Sequence, residues 1–306
     1  MLRACLESLR DGVADVGTRV IAIDNASEDG SVEMVRREFP DVVLIANEAN
    51  MGFAHANNQA YALAEGPYFL LLNPDTVVRP GAIARMVAFM RCHDDAGGVT
   101  GRLTNPDGTL QRYYKRLPSW RYVFASHTLY RRCLPAKRLS REFYMADQPF
   151  DRVVKVEQPP AACLLIRRDR VPGAVLFDER FPIFFNDIDL CRSLARGGSP
   201  CYFLPDAEVM HHGSRAGVDR LGDDAIIDYL IGLVRYTGKH AGRARAGMLW
   251  GLLALESSIA LTVGLGQTMI GRGRWGAFGR ECRRRGRLAA MRESFRYPPG
   301  YTPSTT

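Results

Sequence analysis

The chain has 306 residues, 46% hydrophobic and 24% charged, which excludes a disordered chain and leaves room for one large domain or two. A formal net charge of +8 favours anionic partners (phosphorylated ligands, acidic lipid or nucleic acid) without choosing among them. Seven scattered cysteines with no CxxC pair, and no secretory signal at the start, point away from a disulfide framework and toward a reduced, cytosolic setting.

In chain order, Leu2, Leu6 and Leu9 predict a first helix. Val20–Ile23 reads as a strand running into Asp24. Residues 32–39 read as a helix with Ser31 as its cap. Val42–Ile45 is a second strand, and a turn at 47–52 leads into a helix over 53–64. Tyr68-Phe-Leu-Leu-Leu is a short apolar run that ends near Asn73, because Pro74 is excluded from a strand interior. Pro80-Gly81 then opens another helix. Strands alternating with helices predict an α/β fold with a mainly parallel sheet and crossover helices.

Asn105-Pro-Asp-Gly108 is a strong turn signal. Residues 113–160, rich in Arg and aromatics, read as loops and short helices. Residues 161–166 and 201–204 are further strand candidates, and Asn186-Asp-Ile-Asp189 opens a helix. The last third changes character. Residues 247–270 are nearly all apolar or small, interrupted by Glu256 and Gln267 and flanked by Arg243, Arg245, Arg272 and Arg274. A membrane span, an interfacial helix and ordinary packing all remain open for this stretch. The tail from 280 starts basic and ends in Pro, Tyr and Thr, the composition of a disordered end.

Asp24 and Asp75 each follow an apolar strand, at the end where open α/β sheets bind ligands. One reading gives Asp24 a base or ribose and Asp75 a divalent metal on a diphosphate. The other makes each a cap of the turn that follows. Neither GxGxxG nor GxxxxGK[ST] occurs, so dinucleotide and P-loop readings lose their support. Asp187 and Asp189 complement the positive end of a helix. The aromatic run 181–185 before them could also keep one carboxylate partly dry, as a general base requires, with Asp187 the better candidate. His211 and His212 could meet a metal or a phosphate, or be structural. His55 reads as packing.

The segments 20–30 (VIAIDNASEDG), 46–58 (ANEANMGFAHANN), 70–80 (LLLNPDTVVRP), 103–111 (LTNPDGTLQ), 177–192 (FDERFPIFFNDIDLCR) and 204–213 (LPDAEVMHHG) resemble, in order, those of family 2 glycosyltransferases of the rhamnosyltransferase-like branch. The resemblance implies a GT-A fold, Rossmann-like, with a mostly parallel sheet flanked by helices over 1–215 and a basic helical extension over 216–306. It implies that Asp24 contacts the nucleotide base, and that Asn73-Pro-Asp75 stands at the DxD-type motif. Asn73 then sits beside the nucleotide-sugar, Asp75 binds Mg²⁺ or Mn²⁺, Asp187 is the catalytic base and His211 approaches the metal or diphosphate. Asn186 stands where the branch often has Glu.

Family members open with a strand of the type VSVVIVTYN immediately before the first helix, and the sequence printed here has none. The resemblance therefore implies a sheet lacking its first nucleotide-binding strand. A start codon placed too late, a truncated product and compensation elsewhere all remain open. The expected reaction is inverting transfer of a sugar, with dTDP-rhamnose the favoured donor, to a glycan or lipid-linked glycan. A UDP- or GDP-sugar donor and a noncatalytic binder are the rivals. Nucleic acid, supported by charge alone, is not expected. The expected location is cytoplasmic, with the inner face of the membrane as a further partner surface.

Overall fold

The computed structural model describes residues 1–13, 16–127, 136–181, 183–213 and 215–269. They divide into two compact units. One comprises the described residues within 1–118 and 137–215, the other those within 119–136 and 216–306. The flanking Arg272 and Arg274, and the tail from 280 whose end is expected to be disordered, lie outside the described residues.

The first unit opens with helix α1 (Leu2–Gly12) and strand β1 (Ile21–Asp24). Helix α2 (Ser31–Glu38), β2 (Val43–Ala46) and α3 (Phe53–Leu63) follow, then β3 (Tyr68–Leu72), β4 (Thr76–Val78), α4 (Ala82–Cys92) and β5 (Gly98–Thr104). Two caps differ from expectation. Ser31 is the first helical residue of α2, and the cap is Gly30 in the left-handed region at φ 77°. Gly81, at φ 75°, likewise caps α4, so Pro80 stands outside that helix. Glycine serves at both because a side chain is strained at positive φ. At the other end of α4, Arg167 closes the helix by donating to the carbonyls of Met90 and His93.

The second unit contributes α5 (Trp120–His127). The chain returns to the first unit through α6 (Ala136–Phe143), β6 (Val154–Val156), β7 (Cys163–Arg167), α7 (Asn186–Arg196) and β8 (Cys201–His211). It ends in the second unit with α8 (Arg215–Ala241) and α9 (Arg243–Met269). The strand candidate at 201–204 is the first part of a longer strand, β8, which runs on to His211.

The main sheet has the order β3-β7-β5-β8-β4, with β6 also on β8. Strands β3, β5 and β8 run in one direction. The β5–β8 ladder is parallel, while β7, β4 and β6 pair antiparallel with their neighbours. The α/β class is as expected from the alternating pattern. Side chains on the central strands alternate between two cores, as period-two geometry requires. Cys163 and Leu165 of β7 join Val99, Leu103 and Met86 on one face. Leu164 and Ile166 join Tyr114, Phe150, Phe177 and Phe203 on the other.

One β-bulge shapes the centre. The β5–β8 register shifts between Gly101 and Arg102. The Tyr114 hydroxyl spans the shift, donating to the Gly101 carbonyl (2.7 Å) and accepting from the Leu103 amide (2.9 Å). Burial drives this phenol well above its usual range, so it remains a donor.

Strands β1 and β2 stand apart as a parallel pair of their own. Among the described residues no strand joins β1 to β3, so the single sheet that the alternating pattern suggests is divided. A continuous sheet needs a strand to satisfy the backbone groups of both neighbours, and the described residues supply none there.

Candidate active site

The pairing of β4 with β8 assembles the centre of the site. Thr76 lies opposite His211, which brings the residue before β4, Asp75, against the last residue of β8. His211 Nε2 stands 3.3 Å from Asp75 Oδ1, and both side chains are about nine-tenths buried. The His212 amide donates to the Asp75 carbonyl (2.9 Å), fixing the loop from the backbone side. Asp75 and His211 are 136 positions apart in sequence, and the antiparallel register makes them neighbours.

The loop carrying Asp75 is held from several sides. The Asn73 amide donates to the Ala162 carbonyl (3.0 Å). The Asn73 carbonyl accepts from the Thr76 hydroxyl (2.7 Å) and from the Cys5 thiol (3.6 Å). Cys5 projects from α1, and burial raises its thiol pKa, so it acts here as a neutral donor. The bonds described for Asn73 are backbone bonds that shape the turn.

Asp24 sits at the end of β1, where its Oδ2 accepts from the Ser27 amide (2.9 Å). That bond is the turn-capping arrangement weighed for it from sequence. Beside it lies a carboxamide cluster. Asn47 donates to Asn25 Oδ1 (2.9 Å) and Gln59 Oε1 (2.9 Å), Gln59 returns a bond to Asn47 Oδ1 (3.0 Å), and Asn25 reaches the Gly52 carbonyl (3.3 Å). The cluster ties the ends of β1 and β2 to α3. The sequence segments 20–30 and 46–58 contained Asn25, Asn47 and Gly52, with Gln59 just beyond, without showing that they interlock.

Asp187 occupies the first turn of α7. Phe185 caps this helix with a left-handed φ of 70°, a backbone conformation a bulky residue adopts only when its surroundings impose it. The surroundings are visible. Phe181 and Phe185 are buried, and the Asn186 carboxamide donates to the carbonyls of Phe181 (3.3 Å) and Ile183 (3.0 Å). Asn186 thereby folds the aromatic run back on the helix start, and its Oδ1 accepts from the Asp187 amide (2.7 Å). Desolvation raises the Asp187 carboxyl above its ordinary range, opposed by the Ile188 amide (2.8 Å) and the Lys115 charge. Asp189 is buried on the same turn.

His55 pairs with Glu179 through Nδ1 (3.1 Å), in keeping with a packing role. Its helix neighbour Asn58 is more informative. Asn58 accepts from the Phe177 amide (2.8 Å) and donates to the Phe177 carbonyl (2.9 Å) and Glu179 Oε1 (3.0 Å). Those bonds anchor to α3 the segment that precedes the aromatic run. Asn58, first, and His55 together hold the Glu179 carboxyl below its usual range.

Asp75 and His211 offer a carboxylate oxygen and an imidazole nitrogen side by side; the carboxylate suits Mn²⁺ or Mg²⁺, and the imidazole beside it favours the transition ion, Mn²⁺. No cluster of three or more His, Cys, Asp or Glu that could hold a metal occurs among the described residues. Ions of this kind are commonly held by one or two protein ligands with phosphate oxygens and water completing the shell. The pair therefore fits a cation that arrives with a diphosphate.

Residues 1–147 match the family model described as glycosyl transferase family 2. The chain is 25% identical over 258 residues to N-acetylglucosaminyl-diphospho-decaprenol L-rhamnosyltransferase of Mycobacterium tuberculosis, covering 78% of this chain and 82% of that one. It is 24% identical over 217 residues to the O-antigen biosynthesis protein RfbC of Myxococcus xanthus, covering 70% of this chain and 16% of that one. Among solved structures it resembles mannosyltransferase PcManGT from Pyrobaculum calidifontis, in complex with GDP-Man and Mn²⁺, at 14% identity and a TM-score of 0.49. That likeness covers 97% of this chain and 85% of the other.

Proposed function

We propose, from the match of residues 1–147 to the glycosyl transferase family 2 model, that this chain is a glycosyltransferase that moves rhamnose from dTDP-rhamnose to a lipid-linked glycan. The observation that carries the donor and acceptor is the 25% identity to the mycobacterial L-rhamnosyltransferase over 82% of that enzyme's length. Its acceptor class, an N-acetylglucosaminyl-diphospho-polyprenol, is the one to try first.

Asp24 and the carboxamides around it would receive the nucleotide base at the ends of β1 and β2. Asn73 shapes the turn that delivers Asp75. Asp75 and His211 would hold Mg²⁺ or Mn²⁺ against the donor diphosphate. Bound there, the cation offsets the negative charge that builds on the departing diphosphate. Asp187 takes the proton from the acceptor hydroxyl as that oxygen attacks the anomeric carbon, so the configuration inverts in a single displacement. A carboxyl raised by desolvation is better matched to that proton than an ordinary one.

Helix α9 supports a peripheral contact with the membrane. Ala246, Leu249 and Leu253 are buried along one side. Met248, Leu255 and Ile259 are 48%, 56% and 47% exposed, at spacings of seven and four that place them on a common face. Arg243 and Arg245 are exposed at its start. An apolar stripe with a basic end suits an anionic lipid surface. Among the described residues no helix is long and apolar enough to cross a membrane.

The deciding experiment is a donor panel of dTDP-rhamnose, UDP-sugars and GDP-sugars with Mg²⁺ or Mn²⁺ and a polyprenyl-diphosphate N-acetylglucosamine acceptor. Transfer from dTDP-rhamnose alone is the expected result. Transfer from a UDP- or GDP-sugar instead overturns the donor assignment. The rival reading is a relative that binds sugar nucleotides without turnover. Donor binding with no transfer from any donor would establish it.

A further inference from the structure

The segment 103–111, LTNPDGTLQ, has no part in the reaction described above, yet it ends on a residue in contact with His211. The turn at Asn105–Gly108 closes a short hairpin, with Thr104 bridged to Leu110, and this sets Gln111 under the end of β8. Gln111 is 4% exposed. Its Nε2 donates to the His211 carbonyl (2.6 Å) and to Asn105 Oδ1 (2.7 Å), and its Oε1 stands 2.9 Å from His211 Nδ1. Gly213, at φ +58°, leaves the space: a Cβ there would come within 3.2 Å of Gln111 Nε2.

The polarity of this chain of bonds is fixed from its far end. The Thr109 hydroxyl donates to Asp107 Oδ1 (2.6 Å), since a carboxylate only accepts. Thr109 Oγ1 then accepts from Asn105 Nδ2 (2.8 Å), which turns Asn105 Oδ1 toward Gln111 Nε2. The His211 carbonyl, also an acceptor, demands the same orientation of the Gln111 amide. Gln111 Oε1 is left facing His211 Nδ1, and a carboxamide oxygen only accepts. His211 Nδ1 must therefore carry a hydrogen whether the ring is neutral or charged. The nitrogen that can offer an electron pair is Nε2, the one beside Asp75 Oδ1.

We propose that the Asn105–Gln111 turn is a positioning device that holds His211 with its hydrogen on Nδ1, so that Nε2 and Asp75 present a ready two-donor seat for a divalent cation. Without Gln111 the neutral ring would place its hydrogen on Nε2 and donate it to the Asp75 carboxylate, which closes the seat. Gln111 is then a positioning residue acting through His211. The inference rests on the proposed metal role of Asp75 and His211.

The test uses the full chain labelled with ¹⁵N in the histidine rings, with the His211 signals assigned by their loss in His211→Gln. In the metal-free wild type, the neutral ring of His211 is expected to carry its hydrogen on Nδ1 and to leave Nε2 unprotonated. Gln111→Leu should move the hydrogen to Nε2 and weaken binding of Mn²⁺ alone, followed by electron paramagnetic resonance, by about 10-fold or more, as loss of an orienting partner commonly does. Thr109→Val, an exposed position three hydrogen bonds from the ring, should act in the same direction and less strongly; it serves should the leucine variant fail to fold. A wild-type ring protonated on Nε2 alone overturns the inference. So does a Gln111→Leu chain, or a Thr109→Val chain where the leucine variant does not fold, with tautomer and Mn²⁺ affinity both unchanged. Nδ1 protonation as expected in a wild-type chain that binds no Mn²⁺ supports the orientation and overturns the metal role instead, so the two failures are distinguishable.

Discussion

Asp187 combines a raised carboxyl with a position at the start of a helix, and both bear on how the enzyme responds to pH. Desolvation lifts its pKa above the ordinary value of about 4. In the proposed role of base Asp187 works deprotonated, so turnover should fall as pH drops through that raised pKa, at a higher pH than an exposed aspartate would give. Stability runs the other way. A carboxyl whose pKa is higher folded than unfolded binds its proton more tightly in the native state. Its charged form therefore costs stability above the folded pKa, and the cost disappears as pH falls through it. Asp187→Asn should lower kcat by about 100-fold or more, leave donor affinity unchanged and preserve or raise the melting temperature. Retained turnover would remove Asp187 from the role of base. At the paired residues, Asp75→Asn should abolish Mn²⁺ binding in a direct titration, because a neutral amide is a poor substitute for the carboxylate.

At the scale of elements, the β5–β8 ladder and the residues leading into it leave no room for a side chain at two glycines. A Cβ on Gly101 would lie 2.1 Å from the Ala207 carbonyl oxygen, and one on Gly97 would lie 2.5 Å from that of Ser199. Both obstacles are backbone and cannot rotate away. Gly101→Ala should therefore destabilise the fold by at least the roughly 1–3 kcal/mol typical of overpacking, measured by urea unfolding. The isolated β1–β2 pair makes a different prediction. The Val43 and Asn47 amides bond the carbonyls of Val20 and Asp24, so even-numbered residues of β1 face β2. The amides of Ile21 and Ile23 consequently face the open edge. Their hydrogen exchange should outpace that of Ala22 by a wide margin, and equal protection of all three would mean that a strand covers that edge.

For the whole molecule, the exposed stripe of α9 and the excess positive charge act together. Anionic phospholipid vesicles should bind the protein, and binding should weaken as salt rises because the charge contribution is screened. The double change Leu255→Glu with Ile259→Glu should lower partitioning by about tenfold or more, since each apolar side chain can contribute roughly 1.5–3 kcal/mol when buried. Unchanged partitioning would exclude α9 as the contact.

The sequence by itself determined the α/β class, the order of most elements and the segments that hold the candidate residues. Those features depend on local signals: apolar runs of strand length, glycine and proline at turns, acids after strands. It also placed Asp75 at a strand end and Asp187 at a helix start, because both positions follow from what lies within a few residues. Short strands such as β4 and β6 were not legible, since three residues carry too little periodicity to stand out. The neighbours of each site residue were decided only by tertiary structure. His211 meets Asp75 through the β4–β8 register, Gln111 reaches His211 across a hairpin, and Asn186 folds the aromatic run over Asp187. Register and side-chain hydrogen bonds join residues far apart in sequence, so no local pattern encodes them. The turn at Asn105 was plain from its residues, but only the folded chain connects it to the ring of His211.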